Sequence, residues 1–298
     1  MANLDVLVVG SLNHDIVAGV TVSPAAGQTV LANTLTRTNG GKGGNQAVAA
    51  AQAGARVGLI SAVGVDAEGD MQVADLLAAG VDVTTIARLP NLRTSLALIW
   101  VTPDGENRII VTPGAKDAVT PDLVRNLPVG RPQVVLAQSE VGSAVADAAA
   151  ELALQHSARF VLSCGPVVLP SAATLRQCDP IIVNAGEARD LLEQVGANQA
   201  VPQPSLAQAL LDATGAHSAV VTLGAAGSLV AAVDQTAVAI AAAPVAQVVD
   251  TTGAGDTYCG VVAARLALGA SLEDAARQAA TAAAESVGWA GARKPVSA

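Results

Sequence analysis

The run Val248-Val249-Asp250-Thr251-Thr252-Gly253-Ala254-Gly255-Asp256-Thr257 sets two glycines at the start of a helical segment that continues towards Ala267. In a first turn the backbone N–H groups have no intrahelical partner and the helix end is positive, so Gly253, Ala254 and Gly255 make a ready hole for a phosphate. Asp256 stands in the same turn, where a carboxylate is electrostatically favoured. A fixed carboxylate beside an anion hole suits phosphoryl transfer. It can take the proton of an attacking hydroxyl while the N–H groups hold the charge of the transferred group. The same residues also read as a plain Gly-rich helix start capped by Asp. They are not the dinucleotide fingerprint, because Tyr258 stands where its third glycine belongs and no βαβ unit follows. No Walker A sequence occurs in the chain.

Three further clusters carry groups of the right chemistry. Asn39-Gly40-Gly41-Lys42-Gly43-Gly44-Asn45-Gln46 opens a helix expected over Asn45 to Ala53. Its glycines let backbone approach a ligand closely, and Lys42 and Asn45 offer directional donors to a small polyhydroxy compound. Gly10-Ser11-Leu12-Asn13-His14-Asp15 follows the first strand, at the end where open parallel sheets bind ligands. Asn13 and Asp15 there can take sugar hydroxyls or simply form an Asx turn. Asn184-Ala185-Gly186-Glu187 can order the water shell of Mg²⁺, or serve as a helix cap with Glu at the third position.

These loops need a frame. Leu4 to Val9 is a continuous apolar run, as expected of a strand buried on both faces. Further strands are expected at Val57 to Ala62, Val134 to Ala137, Phe160 to Ser163, Ile181 to Val183 and Ala219 to Leu223, separated by Ala-rich helical stretches such as Met71 to Ala79. The alternation predicts one α/β domain over residues 1–298, a doubly wound and mainly parallel sheet flanked by helices. Residues 14–38 and 93–112 break the rhythm and read as strands of a small separate sheet, a lid or a set of plain surface hairpins.

Bulk properties narrow the partners. A net charge of −9 argues against nucleic acid or an anionic membrane as partner. The near absence of aromatics (Phe160, Tyr258, Trp100 and Trp289) removes stacking platforms for single strands and requires an aliphatic core. Apolar runs are interrupted before a membrane span is reached. Cys164, Cys178 and Cys259 are odd in number and scattered, and Asp5 stands where a leader would be basic. A cytoplasmic protein without disulfides is expected.

Taken in order, Gly10 to Asp15, Gly40 to Gln46, Asn184 to Glu187, Thr222 to Gly227 and Asp250 to Thr257 resemble the motifs of the ribokinase-like carbohydrate kinases over nearly the whole chain. The early motifs are closer to the ribose branch of that family than to its fructose-phosphate or adenosine kinases. The resemblance implies an ATP-dependent kinase for the primary hydroxyl of a small sugar, ribose foremost, with another sugar or a nucleoside as the alternative. A non-catalytic sugar-binding regulator on the same fold is a reading from a different class. Asp256 is implied as the base and Gly253 to Gly255 as the anion hole. Asn13, His14, Asp15, Gly41, Lys42, Gly43, Gly44, Asn45 and Glu140 are implied as sugar contacts. Asn184, Thr222, Leu223, Gly224, Ala225, Ala226 and Gly227, with Gly255 and Asp256, are implied at ATP. Glu187 is implied at Mg²⁺ through water. A monovalent cation, K⁺, is implied at Asp250, Thr252 and carbonyls near Ser286, Trp289 and Gly291. A homodimer through the lid is implied, with Ile99 and Trp100 exposed. Four positions depart from the family pattern: Ala280, where a polar or His residue often flanks the adenine, Ser95 and Trp100 in the hairpin, and Pro295 where a Ser ligand is usual.

Overall fold

Val6 to Val9 are buried without exception, the mark of a strand covered on both faces. The computed structural model describes residues 3–104 and 106–294, and in it this segment is β1 (Val6–Val9). The chain leaves for β2 (Asn13–Val20) and β3 (Ala32–Gly40). It returns through α1 (Lys42–Gln52), β4 (Val57–Gly64), α2 (Ala67–Ala78), β5 (Val81–Asp82) and β6 (Ile86–Leu89). A second excursion forms β7 (Ser95–Val101) and β8 (Asn107–Val111). Then follow α3 (Pro121–Asn126), β9 (Val134–Gln138), α4 (Ser143–His156), β10 (Arg159–Ser163), α5 (Ala172–Gln177) and β11 (Cys178–Asn184). The chain ends with α6 (Ala185–Gln194), α7 (Leu206–Thr214), β12 (Ser218–Thr222), β13 (Ser228–Ala232), β14 (Val238–Ile240), α8 (Ala254–Ala267) and α9 (Leu272–Ser286).

The main sheet runs β14-β13-β12-β11-β10-β9-β1-β4-β5, with β6 also pairing β4. Pairing is parallel from β12 to β5 and antiparallel at the β13 and β14 edge. Alternate residues of β1 serve opposite layers. Val6 and Val8 pack with α1, α2, α8 and α9, while Leu7 and Val9 pack with α4, α6 and α7. Because β1 lies between β4 and β9, the chain switches direction across the sheet there, and the C-terminal ends of β1 and β9 flank the crevice where such sheets bind ligands. On the β1 side of this frame, α1 and α8 cross closely. A Cβ at Gly260 would lie 2.4 Å from the Gln46 carbonyl oxygen, so only glycine permits the approach.

A separate four-stranded sheet runs β3-β2-β7-β8. Its central pair, β2 with β7, is parallel and joins the two excursions; both outer pairs are antiparallel. Ile99 and Trp100, expected to be exposed, are half-buried, and the Trp100 Nε1–H donates to Ser23 Oγ at 2.8 Å. The exposed apolar side chains of this sheet are Leu35, Leu98, Ile109, Ile110 and Val111. Among the described residues, no helix is long and apolar enough to cross a membrane.

Two helices start earlier than their sequence pattern predicts. α1 begins at Lys42, not Asn45, because Gly41 takes a positive φ of 89° and turns the chain straight from β3 into the helix. α2 begins at Ala67, not Met71, because the Asp66 side chain caps the Gly69 N–H at 2.8 Å.

Candidate active site

Gly253 caps α8 with φ +79°, and a Cβ there would stand 2.6 Å from the Ala292 backbone. The Ala254 N–H turns back to the Thr251 carbonyl at 3.3 Å. The N–H groups of Gly255 and Asp256 form no such turn bond among the described residues, and they are the free donors of the positive helix end. The Asp256 carboxylate is held on both oxygens. Oδ2 accepts from Asn45 Nδ2 at 2.9 Å and Oδ1 from Gln46 Nε2 at 3.0 Å. Gln46 is itself fixed, since its Oε1 accepts from Gln138 Nε2 at 2.8 Å and its Nε2 also reaches Ser163 Oγ at 3.2 Å. The amide can therefore present only its NH₂ to Asp256. The close α1–α8 crossing at Gly260 is what brings these amides to the carboxylate.

Most of the residues implied at the sugar gather around the same point. Lys42 is in the first turn of α1. Burial works against its ammonium, but Asp256, Glu140 and Glu187 outweigh burial and hold its pKa above the ordinary lysine value. Glu140 follows β9 and accepts a hydrogen bond from Ser11 Oγ. Asp15 packs against the Gly40 Cα, with no hydrogen-bond donor from the protein among the described residues. Burial pushes its pKa up to about 6, with Arg293 opposing and Glu140 reinforcing the shift. Asn13 Oδ1 is buried and unpartnered, an acceptor that a hydroxyl would satisfy. Gly43 and Gly44 are buried in the first turn of α1, against Gly10 and Arg293. His14 does not join this cluster. Strand alternation turns its fully buried ring to the other face of β2, where Nδ1 lies 3.4 Å from Asn39 Oδ1.

Across the anion hole lies a cavity of 690 Å³. Thr222, Gly224, Ala225 and Gly227 line one side, Ala254 and Gly255 the edge nearest Asp256, and Ala280, Ala283 and Val287 an apolar wall. Leu223 packs instead on the core and Ala226 is exposed in the turn. A second cavity, of 490 Å³, lies behind α1, α8 and α9, and its lining includes none of Thr222 to Gly227.

Asn184 and Glu187 form a reciprocal cap on α6. Glu187 Oε2 accepts from the Asn184 N–H at 2.8 Å, and Asn184 Oδ1 accepts from the Glu187 N–H at 2.9 Å. This is the capping reading of that motif; the Glu187 charge also favours the Lys42 ammonium. The Asp250 loop runs beside the tail. The Val287 carbonyl accepts from the N–H groups of Val249 and Asp250 at 2.7 and 3.2 Å. The Asp250 carboxylate accepts from the N–H groups of Thr252 at 2.9 Å and Gly291 at 2.8 Å. Burial works against this carboxylate, but its hydrogen bonds outweigh burial and hold its pKa below the usual range. Pro295 lies outside the described residues.

The pfkB family carbohydrate kinase model matches residues 3–298. The chain belongs to the pfkB carbohydrate kinases. Among pfkB relatives, it is 32 % identical to a ribokinase of Haemophilus influenzae, covering 97 % of this chain and 94 % of that one. It is also 32 % identical to the Bacillus subtilis ribokinase, covering 95 % and 92 %. The structure of Arabidopsis thaliana ribokinase complexed with ribose and ATP superposes with a TM-score of 0.83 at 28 % identity, covering 98 % of this chain and 95 % of that one. As a pfkB member the chain is a sugar kinase, a phosphotransferase with an alcohol acceptor.

Sequence reasoning passed over four polar groups of this pfkB site: Ser11, Gln138, Ser163 and Arg293. The first three are single polar residues at strand ends, where nothing in the pattern separates them from ordinary turn residues. Arg293 is one of two adjacent cations, with Lys294, in a Gly-containing tail and reads as a surface charge, yet its side chain is only 6 % exposed.

Proposed function

We propose that this chain transfers the terminal phosphoryl group of ATP to the primary hydroxyl of ribose. One observation carries the reading: Asp256, at the positive end of α8, is held by Asn45 and Gln46, which lie in the same glycine-rich run as Lys42. The sugar lies between Asp256 and the group formed by Asn13, Asp15, Lys42 and Glu140, and the nucleotide fills the apolar cavity on the far side of Gly255. Asp256 takes the hydroxyl proton as its oxygen bonds to phosphorus. The bond from phosphorus to ADP breaks, and the N–H groups of Gly255 and Asp256 receive charge on the transferred group. Lys42 adds positive charge on the sugar side. Residues 1–298 act as a single domain, and the β3-β2-β7-β8 sheet closes over the sugar as a lid.

Turnover with ribose, 2-deoxyribose, fructose and nucleosides, followed as ADP release, tests the assignment. Ribose is expected to give the highest kcat/KM. A nucleoside preferred over ribose moves the chain to a different branch, and no ADP release with any of them leaves only a binding role.

Hard oxygen donors suit two cations. Glu187 beside Asn184 would hold Mg²⁺ through water, and the ion would supply charge neutralisation at the phosphates. An ionised Asp250 together with carbonyls at Thr252, Ser286, Trp289 and Gly291 suits a monovalent ion. K⁺ is expected to raise kcat over Na⁺ at equal ionic strength, and equal rates in the two salts remove this site. The exposed Ile109, Ile110 and Val111 of β8 suit a dimer of two such lids, for which light scattering gives the mass. A reducing cytoplasm suits three buried, unpaired thiols.

A further inference from the structure

The last three residues of the tail before Lys294 reach three parts of the site in succession. Gly291 donates to Asp250, Ala292 packs on Gly253, and Arg293 enters the space beside Asn45. The Arg293 guanidinium is fully engaged. Nε donates to Asn45 Oδ1 at 2.9 Å, and one terminal nitrogen to Asp75 Oδ2 at 2.5 Å. The other donates to the Gly40 carbonyl at 2.9 Å and Gln72 Oε1 at 3.1 Å. Space for it exists because residue 44 has no side chain; a Cβ on Gly44 would lie 2.1 Å from the guanidinium.

An arginine can only donate. Its bond to Asn45 therefore fixes the amide with Oδ1 towards Arg293 and the NH₂ towards Asp256, which accepts it at 2.9 Å. We infer that Arg293 is a positioning residue of the transfer reaction: through Asn45 it aims the catalytic carboxylate, and from the Gly40 carbonyl it sets a fixed positive charge beside Asp15, whose carboxylate lies against the same glycine. The inference rests on Asp256 being the base. The two carboxylates Asp15 and Asp256, together with Asp75, are the anions that face the guanidinium. Glu140 and Arg293 are the charged groups that face Asp15, and they act on it in opposite directions. Burial disfavours the Arg293 charge, but an arginine stays protonated at neutral pH, so the position supplies a permanent positive charge.

The test is steady-state kinetics of Arg293→Met and Arg293→Lys over pH 5–8, with ribose and ATP. In Arg293→Met, kcat is expected to fall roughly 10–100-fold, the scale of one lost charge-assisted hydrogen bond. The rise of the ribose KM on acidification should also begin at higher pH, because Asp15 has lost the cation that opposed its protonation. Arg293→Lys is expected to keep the wild-type pH limb and still lose kcat, since one ammonium cannot replace the planar fork. In an Asn45→Ala background, Arg293→Met should cost no more than about threefold further in kcat, because the route through Asn45 is already gone. Wild-type kcat in Arg293→Lys overturns the inference, as does a full additive loss in the Asn45→Ala background. An unshifted limb in a folded Arg293→Met overturns the Asp15 part. If Arg293→Met does not fold, Arg293→Lys alone decides. Wild-type turnover of ribose, and the loss of it in an Asp256 variant, test the base assignment separately.

Discussion

Asp256→Asn lowers kcat roughly 10²–10⁴-fold, the usual worth of a general base, and leaves the ribose KM within a few-fold. The substitution keeps the size and shape of the side chain, so the sugar site is preserved while the proton acceptor is removed. It also brings a second, structural cost. Asn45 and Gln46 each present an NH₂ to this carboxylate. Neither can turn over to compensate, because Arg293 holds Asn45 and Gln138 holds Gln46. An asparagine at 256 has one acceptor for two donors, and one buried amide is left facing another. That unmet group costs about 1–3 kcal/mol of stability. Kinetics and denaturant unfolding on the same variant check both parts. Turnover near the wild-type rate means that another group takes the proton.

Asp15→Asn moves stability and affinity in opposite directions. Burial raises the Asp15 pKa from 3.8 in the unfolded chain to about 6 in the fold, so the fold disfavours the ionised form. The stabilising contribution of the protonated group is complete below 3.8 and is lost as pH rises through about 6. At neutral pH the ionised carboxylate thus costs about 3 kcal/mol, which a neutral amide of the same shape avoids. Denaturant unfolding of the ligand-free variant is expected to show a gain of up to this size at pH 7.5, shrinking towards pH 4. The ribose KM is expected to rise about 10–100-fold, because hydroxyl donors lose a charged acceptor. Wild-type KM should climb for the same reason as pH falls below about 6. A variant no more stable than the wild type at pH 7.5 rules out the buried-charge account, and an unchanged KM takes Asp15 out of the sugar site.

The frame was legible because parallel strands buried on both faces leave continuous apolar runs. Val6–Val9, Val134–Gln138 and Ser218–Thr222 all lie where such runs predict them. The short edge pieces β5, β6 and β14 were not legible. Two to four residues carry no period, and a pairing partner outweighs their composition. The start of α1 was hidden for another reason. Glycine disfavours helix interiors, yet Gly43 and Gly44 lie inside one because Gly10 and Arg293 occupy the space a side chain would fill. Asp256 could be read as a reactive group from its place at a helix start. The groups that brace it could not, since Gln138, Ser163 and Arg293 come from three separate segments and meet only in the folded chain.

Scarcity of aromatics has a practical side. The chain holds two tryptophans. Trp100 is pinned to Ser23 within the small sheet, and Trp289 stands two residues before Gly291 with the Lys294 ammonium 5.9 Å from its ring centroid. Indole emission from the native protein therefore arises at two places, the small sheet and the tail beside Asp250, with a silent core between them. Trp100→Phe and Trp289→Phe each leave a single optical probe. The first isolates the tail and the second isolates the sheet, so the surroundings of each can be followed separately without attaching a dye.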